Sequence, residues 1–437
     1  MIRLATRGGT PRLYRLPDLV EIPDVIRGRL PVVEGAVGVD PEAAFLYVRT
    51  AKGELLSLDL ESGRADTVAT SVERATLGPD GTLYAVDTKG RVISVARRAR
   101  LTWPQPLGGA PRDLFGAADQ RLVAIVAQDP PKLIVAAVDQ PPATRPFPAG
   151  GDVGASRWGD LLAVASDSGV TLLSTMGRRE PAFVALPDHP RAVVFSPSGH
   201  RLYVARRASP GLAVIDRYAQ QEIDGVALPG PASTIRLDPF GRWLLARPTV
   251  GDTAWIVDLP IKSLRGALAT SWHADLPAVT PDGSLLLRQG GDVLAYRPDS
   301  LRATGRVSGG GADLWITTSW TPRGGYRGAA ALLPQAAADS AGPEGPLYVQ
   351  VSVSQNQAWS AEMAQQLSRA GLAAKVLSPP PGSDEGYRVV LGPYPTRGQA
   401  EVIGRKLGRP FWIYQPTTPT APSPPPPPPG RPTSPTQ

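Results

Sequence analysis

Four aspartates recur in this 437-residue chain just before the Pro or Gly of a turn: Asp40, Asp80, Asp238 and Asp282. Carboxylates can pair as general acid and base, but that chemistry needs two of them in different environments. One position used four times predicts instead a turn-stabilising role, each side chain accepting hydrogen bonds from nearby backbone N–H groups. The three histidines, His189, His200 and His273, fit no metal-binding spacing such as H-E-x-x-H and are expected as surface polar residues. Ser308-Gly309-Gly310-Gly311 has the composition of a phosphate cradle. No helix is expected after it, so it reads as a flexible turn. There is no G-x-S-x-G elbow, Walker loop or G-x-G-x-x-G after a strand. The absence of cysteine excludes thiolate zinc sites, disulfides and cysteine nucleophiles. No catalytic residue, metal site or cofactor is expected, and the weight lies against catalysis.

The net charge of +7 points towards acidic partners, but only 6 of the 46 basic residues are lysine and the arginines are scattered. A surplus without a patch favours solubility over a defined nucleic-acid site, so no nucleic-acid partner is expected. No run of 18 apolar residues occurs, and no transmembrane helix is expected. The stretch MIRLATRGGTPRLYRLPDLVEIP has no apolar core of a secretory signal. An envelope destination then calls for a start further upstream, a processed chain or another export route.

What positions these residues is a repeat. The clearest copy is Val193-Val194-Phe195-Ser196-Pro197-Ser198-Gly199-His200-Arg201-Leu202-Tyr203-Val204-Ala205, and equivalents begin at Val37, Thr76, Arg236 and Ala278, with weaker ones at Leu114 and Gly154. Corresponding positions fall at 41, 79, 117, 157, 197, 239 and 281. A period near 40, with two apolar runs joined by a turn and a second strand pair after them, predicts four strands per repeat, the blade of a β-propeller. Ile2–Ile26 aligns with Leu285–Val307, the outer three strands of the seventh repeat, and Ala312–Pro322 looks like an orphan first strand. The two ends are therefore expected to share one blade, giving eight blades, or seven if the N-terminal stretch is an arm. The phrase HPRAVVFSPSGHRLYVAR, from His189, resembles the YVTN or cytochrome-d1-like propeller family. That family includes ligand-binding, redox and scaffolding members, so the resemblance implies a fold and not a function.

Residues 346–415 read as β-α-β-β-α-β. Leu347–Ser354 alternates with period two, Val349, Val351 and Val353 on one face and Tyr348, Gln350, Ser352 and Ser354 on the other. Ser354 with Gln357 has capping-box spacing, and Trp359, Met363 and Leu367 line one helix face until Gly371. Ala373–Leu377 and Tyr387–Leu391 are further strands. Thr396 with Gln399 opens a second helix, with Ala400, Ile403 and Leu407 inward and Gly408 at its end. Phe411–Gln415 closes the sheet.

That order, with YVQV at its start and YRVVLGPYPTRGQAE in its second half, resembles the SPOR domain, a bacterial module that binds peptidoglycan, over about 70 of the 437 residues. The resemblance implies that one sheet face packs on both helices while the other holds glycan strands stripped of their stem peptides. It places Gln350 and Arg388 at the ligand, both types able to hydrogen-bond sugar hydroxyl and N-acetyl groups. Ser352 lies where the family has a small residue, and Tyr387, Trp412 and Ile413 offer apolar or stacking surface, although alternation cannot put all three on one face. The family's Gly-Ser-Phe is replaced here by Ser352-Val353-Ser354. Gln350 could alternatively be a solvated strand residue, and Arg388 could pair with Asp384 or Glu385. An RNA-recognition module shares the topology but stacks bases on aromatics of the central strands, which are missing here.

The expected organisation is a propeller at 1–325, a flexible Ala/Pro/Ser/Gly-rich linker at 326–345, the small domain at 346–415 and a disordered Pro-rich tail at 416–437. The expected function is a non-catalytic protein of the bacterial periplasm or cell envelope. It would tether itself to denuded septal or remodelled peptidoglycan and present the propeller to an envelope protein or small ligand. The alternatives are a lactonase- or hydrolase-type propeller enzyme localised to the wall, and a cytoplasmic scaffold.

Overall fold

The computed structural model describes residues 1–322 and 346–415, apart from 97, 118–119, 149, 177–179, 240, 281, 319, 321, 355–356, 370–371, 380–385 and 407–410. The linker expected at 326–345 and the tail at 416–437 lie outside the described residues.

The described residues within 2–316 form eight four-stranded antiparallel sheets, seven built from consecutive strands and one from both ends of the segment. The sheet of Pro190–Phe195, Arg201–Arg206, Leu212–Asp216 and Gln221–Val226 shows why they stack. Leu202 and Val204 pack with Leu161, Val170 and Val184 of the sheet before, whereas Tyr203 and Ala205 pack with Ile235, Leu244 and Val257 of the sheet after. Both faces of a middle strand are thus covered, the sandwiching that a β-propeller requires of its blades.

The split sheet joins Ile2–Leu4, Arg12–Tyr14 and Glu21–Ile22 to Leu314–Ile316, with Ile2 opposite Ile316 and Leu4 opposite Leu314. This is the arrangement expected from the internal alignment. The seam is fastened by charge as well as packing. Arg288 chelates Asp275 through two contacts of 2.8 and 2.6 Å and donates to the carbonyls of Gly311 and Asp313, while Asp275 accepts the Trp315 N–H at 2.8 Å. Arg3 bonds Asp313 at 2.6 Å. Packing is tight at this seam. A Cβ on Gly305 would lie 2.2 Å from the carbonyl oxygen of Asp18, so only glycine fits there.

The recurrent aspartates stabilise turns. Asp40 Oδ1 accepts from the N–H groups of Glu42 and Ala43, both at 3.0 Å, Asp80 from Thr82, Asp238 from Trp243 and Asp282 from Ser284. Asp59 and Asp216 perform the same task in the turns between third and fourth strands, and Asp87 does so between the second and third strands of its sheet. The Ser308–Gly311 stretch is a turn whose Gly309, Gly310 and Gly311 carbonyls accept from Arg3, Trp315 and Arg288. It offers acceptors where a phosphate cradle would offer donors.

The small domain has four strands in the spatial order Ala374–Leu377, Tyr387–Tyr394, Leu347–Ser354 and Trp412–Tyr414, with helices α1 (Gln357–Arg369) and α2 (Arg397–Lys406). Among the described residues no helix is long and apolar enough to cross a membrane.

Candidate functional site

The geometry of the small sheet follows from which of its faces the helices cover. Val349, Val351, Val389 and Leu391 pack with Met363, Ala364 and Leu367 of α1 and Ala400 of α2 in one buried cluster. Leucine and methionine four residues apart give α1 its inward stripe. Thr396 caps α2 by accepting the Gln399 N–H at 3.3 Å. Gly371, Leu407 and Gly408, expected at helix ends, lie outside the described residues, as do Asp384 and Glu385.

Period two then sends the alternate residues to the other face. Gln350 stands opposite Val390 in one neighbouring strand and opposite Trp412 in the other. Arg388, two residues from Val390, shares that face and donates from Nη1 to Gln350 Oε1 at 2.8 Å. With its oxygen engaged, the Gln350 amide turns its N–H donors away from Arg388. The Arg388 guanidinium also lies 4.8 Å from the centre of the Tyr414 ring. On the same side Tyr348 is opposite Tyr414, and Lys375 Nζ bonds the Tyr348 hydroxyl at 2.9 Å above its ring. Val390 is fully buried between Gln350 and Lys375. Trp412 is 70% exposed, the most exposed aromatic among the large hydrophobics of the described residues. The face therefore combines two cations, an oriented amide and a bare indole.

The six residues singled out by resemblance separate into two groups. Gln350, Arg388 and Trp412 converge on the open face. Tyr387 and Ile413 do not, because each neighbours one of those residues and alternation turns it the other way. The Tyr387 hydroxyl donates to Gln357 Oε1 of α1 at 3.4 Å, and Ile413 packs against the helix-side cluster. Ser352 is displaced for a different reason. The register slips between Gln350 and Ser352, so Val351 is an extra residue, and Ser352 then pairs with Val389 and Val353 with Arg388. This bulge reverses the expected placement of both. Val353 becomes 37% exposed on the open side, and Ser352 is buried, its Oγ 2.5 Å from His200 Nε2. His200 is thus not the free surface residue expected. It meets the small domain beside Trp158 and Tyr218, which pack on the helix-side cluster. Tyr348, Lys375 and Tyr414 belong to the open face; alternation had put Tyr348 on the face of Gln350 without singling it out, and Lys375 and Tyr414 went unrecognised in the sequence. Among the described residues, no group of three His, Cys, Asp or Glu could hold a metal ion.

Comparison with known proteins gives the two halves separate standing. Residues 343–409 match the family model described as the SPOR domain. No curated protein matches the chain. Among solved structures it is similar to dihydro-heme d1 dehydrogenase NirN in complex with DHE, at 15% identity and a TM-score of 0.52, over 71% of this chain and 75% of that one. It is likewise similar to AztD from Citrobacter koseri, at 10% identity and a TM-score of 0.53, over 74% of this chain and 99% of the other. At such identities the likeness speaks for the fold alone. The chain thus joins a β-propeller to a C-terminal SPOR domain.

Proposed function

We propose that this is a non-catalytic protein of the bacterial cell envelope that binds denuded peptidoglycan glycan strands through the open face of its SPOR domain and presents its propeller to an envelope protein or small ligand. The observation that carries this reading is the helix-free sheet face on which Gln350 and Arg388 are hydrogen-bonded to each other beside an exposed Trp412. A glycan offers hydroxyl and N-acetyl groups to the amide and guanidinium, and its pyranose rings present C–H faces that stack on indole. A long stem peptide would crowd so shallow a surface, which favours stripped strands. Tethering would raise the local concentration of any partner the propeller holds at the wall. The propeller's partner, the periplasmic setting and a septal location belong to the same proposal.

The test is co-sedimentation of the full chain with sacculi. Retention should rise after amidase treatment, and the double variant Gln350→Ala with Arg388→Ala should lose about tenfold or more of it, as expected when charge-assisted contacts are removed. Equal retention on treated and untreated sacculi would overturn the proposal.

A further inference from the structure

The propeller carries a feature that the wall-binding reading leaves unused. Five of its inner strands slip register at their second residue. These residues are Glu34, Glu73, Arg112, Arg191 and Ser233, each skipped between two paired neighbours. A bulge leaves its residue outside the ladder and re-aims the side chain, a device common beside binding sites. All five occupy the same end of their strands and so the same rim of the propeller.

Four of the five are satisfied locally. Glu34 pairs with Arg49 at 3.2 Å, Glu73 with Arg74 at 3.5 Å and Arg112 with Asp113 at 2.6 Å, while Ser233 Oγ donates to the Pro248 carbonyl at 3.1 Å. Arg191 is the exception. It is exposed and makes no ion pair or side-chain hydrogen bond among the described residues. Beside it a cleft of about 520 Å³ is lined by Arg191, Ser233, Thr234, Arg247, Thr249 and Asp252. Among the described residues Arg247 reaches only the exposed Asp252, at 3.6 Å. The hydroxyls of Thr234 and Thr249 donate to no protein group among the described residues. Two guanidinium groups therefore line one cleft with a single solvated carboxylate and two threonine hydroxyls. The local field is correspondingly positive. Burial pushes the neighbouring Arg236 guanidinium down, Asp275 opposes this, and the charges of Arg288 and Arg247 add to the depression.

We infer that this cleft binds a small oxyanion-bearing ligand, a carboxylate or a phosphate, held by Arg191 and Arg247 with the threonine hydroxyls. Guanidinium groups meet such anions bidentately, and the cleft falls within the size range of small-molecule sites. The inference deepens the reading of the propeller as the ligand-holding part of a wall-bound protein. Its test needs no wall, so the two can fail separately.

The full chain is titrated calorimetrically with inorganic phosphate and, in a second arm, with glutarate, at low salt. Saturable binding of at least one anion below about 10 mM is expected, and the tighter of the two assigns the source of the oxyanion. Arg191→Gln should weaken it about tenfold, and Arg247→Gln similarly, the size expected for a lost charge-assisted pair. Arg112→Gln, which alters the equivalent but already paired position, should leave affinity within about twofold. Absence of saturable binding by either anion, or equal weakening by Arg112→Gln and Arg191→Gln, would overturn the inference.

Discussion

The propeller sheets and the SPOR-domain sheet are both four-stranded and antiparallel, yet they use their surfaces in opposite ways. A propeller sheet is covered on both faces, so Leu83–Asp87 and Leu122–Val126 are buried at every residue. The SPOR sheet is covered on one face only, leaving Gln350, Arg388 and Trp412 on the other. A sheet sandwiched twice can offer a ligand only its strand ends and turns, and Arg191 and Ser233 sit at such ends. A sheet sandwiched once can offer its flat face. The difference explains why the two candidate sites look unlike: a rim cleft of re-aimed polar residues, and an exposed sheet with an aromatic on it.

The sharpest way to break the comparison is to remove what closes the ring. Arg288→Ala strands the Asp275 carboxylate in a buried seam and should cost about 3–5 kcal/mol, the range for a broken buried pair. A lowered urea midpoint for the propeller transition measures it, and retention on sacculi by the folded fraction should be unchanged. Next, Leu244→Ala in the ring and Leu367→Ala in α1 should each cost about 2–5 kcal/mol, since both are essentially fully buried. Followed by calorimetry, the first should lower the larger transition and the second the smaller, and a single shared shift would mean that the two sheets unfold together. Acid should act on the ring seam. Burial alone would raise the Asp275 pKa, but hydrogen bonds from Arg288 and from the Trp315 N–H, with the Arg288 charge, hold it below the usual carboxylate range. A depressed folded value means stabilisation that is complete above the unfolded pKa and lost as pH falls through the folded one. The propeller midpoint should therefore drop below about pH 4, and Arg288→Ala should flatten that drop. The smallest stability effect is expected for Trp412→Ala, within about 0.5 kcal/mol because the ring is exposed. Its retention on amidase-treated sacculi should nevertheless fall about tenfold, separating binding from folding.

Much of the fold was legible in sequence for a simple reason. Turn aspartates and strand alternation are local, and a forty-residue period repeats the same local solution. Even the split sheet was readable, because Ile2–Ile26 carries the outer-strand pattern of the seventh repeat. What escaped was non-local or broke a period. The bulge at Val351 adds one residue, and every placement beyond it in that strand changes face, which is why Ser352 and Val353 went the other way. The His200 contact spans 152 positions, and nothing near His200 signals it. Arg191 looked like one arginine among many until its equivalents were seen to be paired.

The seam at residues 2–4 and 314–316 also has a consequence for biosynthesis. At about 5–20 residues per second the ribosome takes roughly 15–60 s to travel from one partner strand to the other. Throughout that interval the edge of Ile2–Leu4 that faces away from Arg12–Tyr14 has unpaired backbone groups. The chain must be guarded from joining a neighbour's edge while it waits, and a nascent chain stalled before residue 314 is the species most exposed to aggregation.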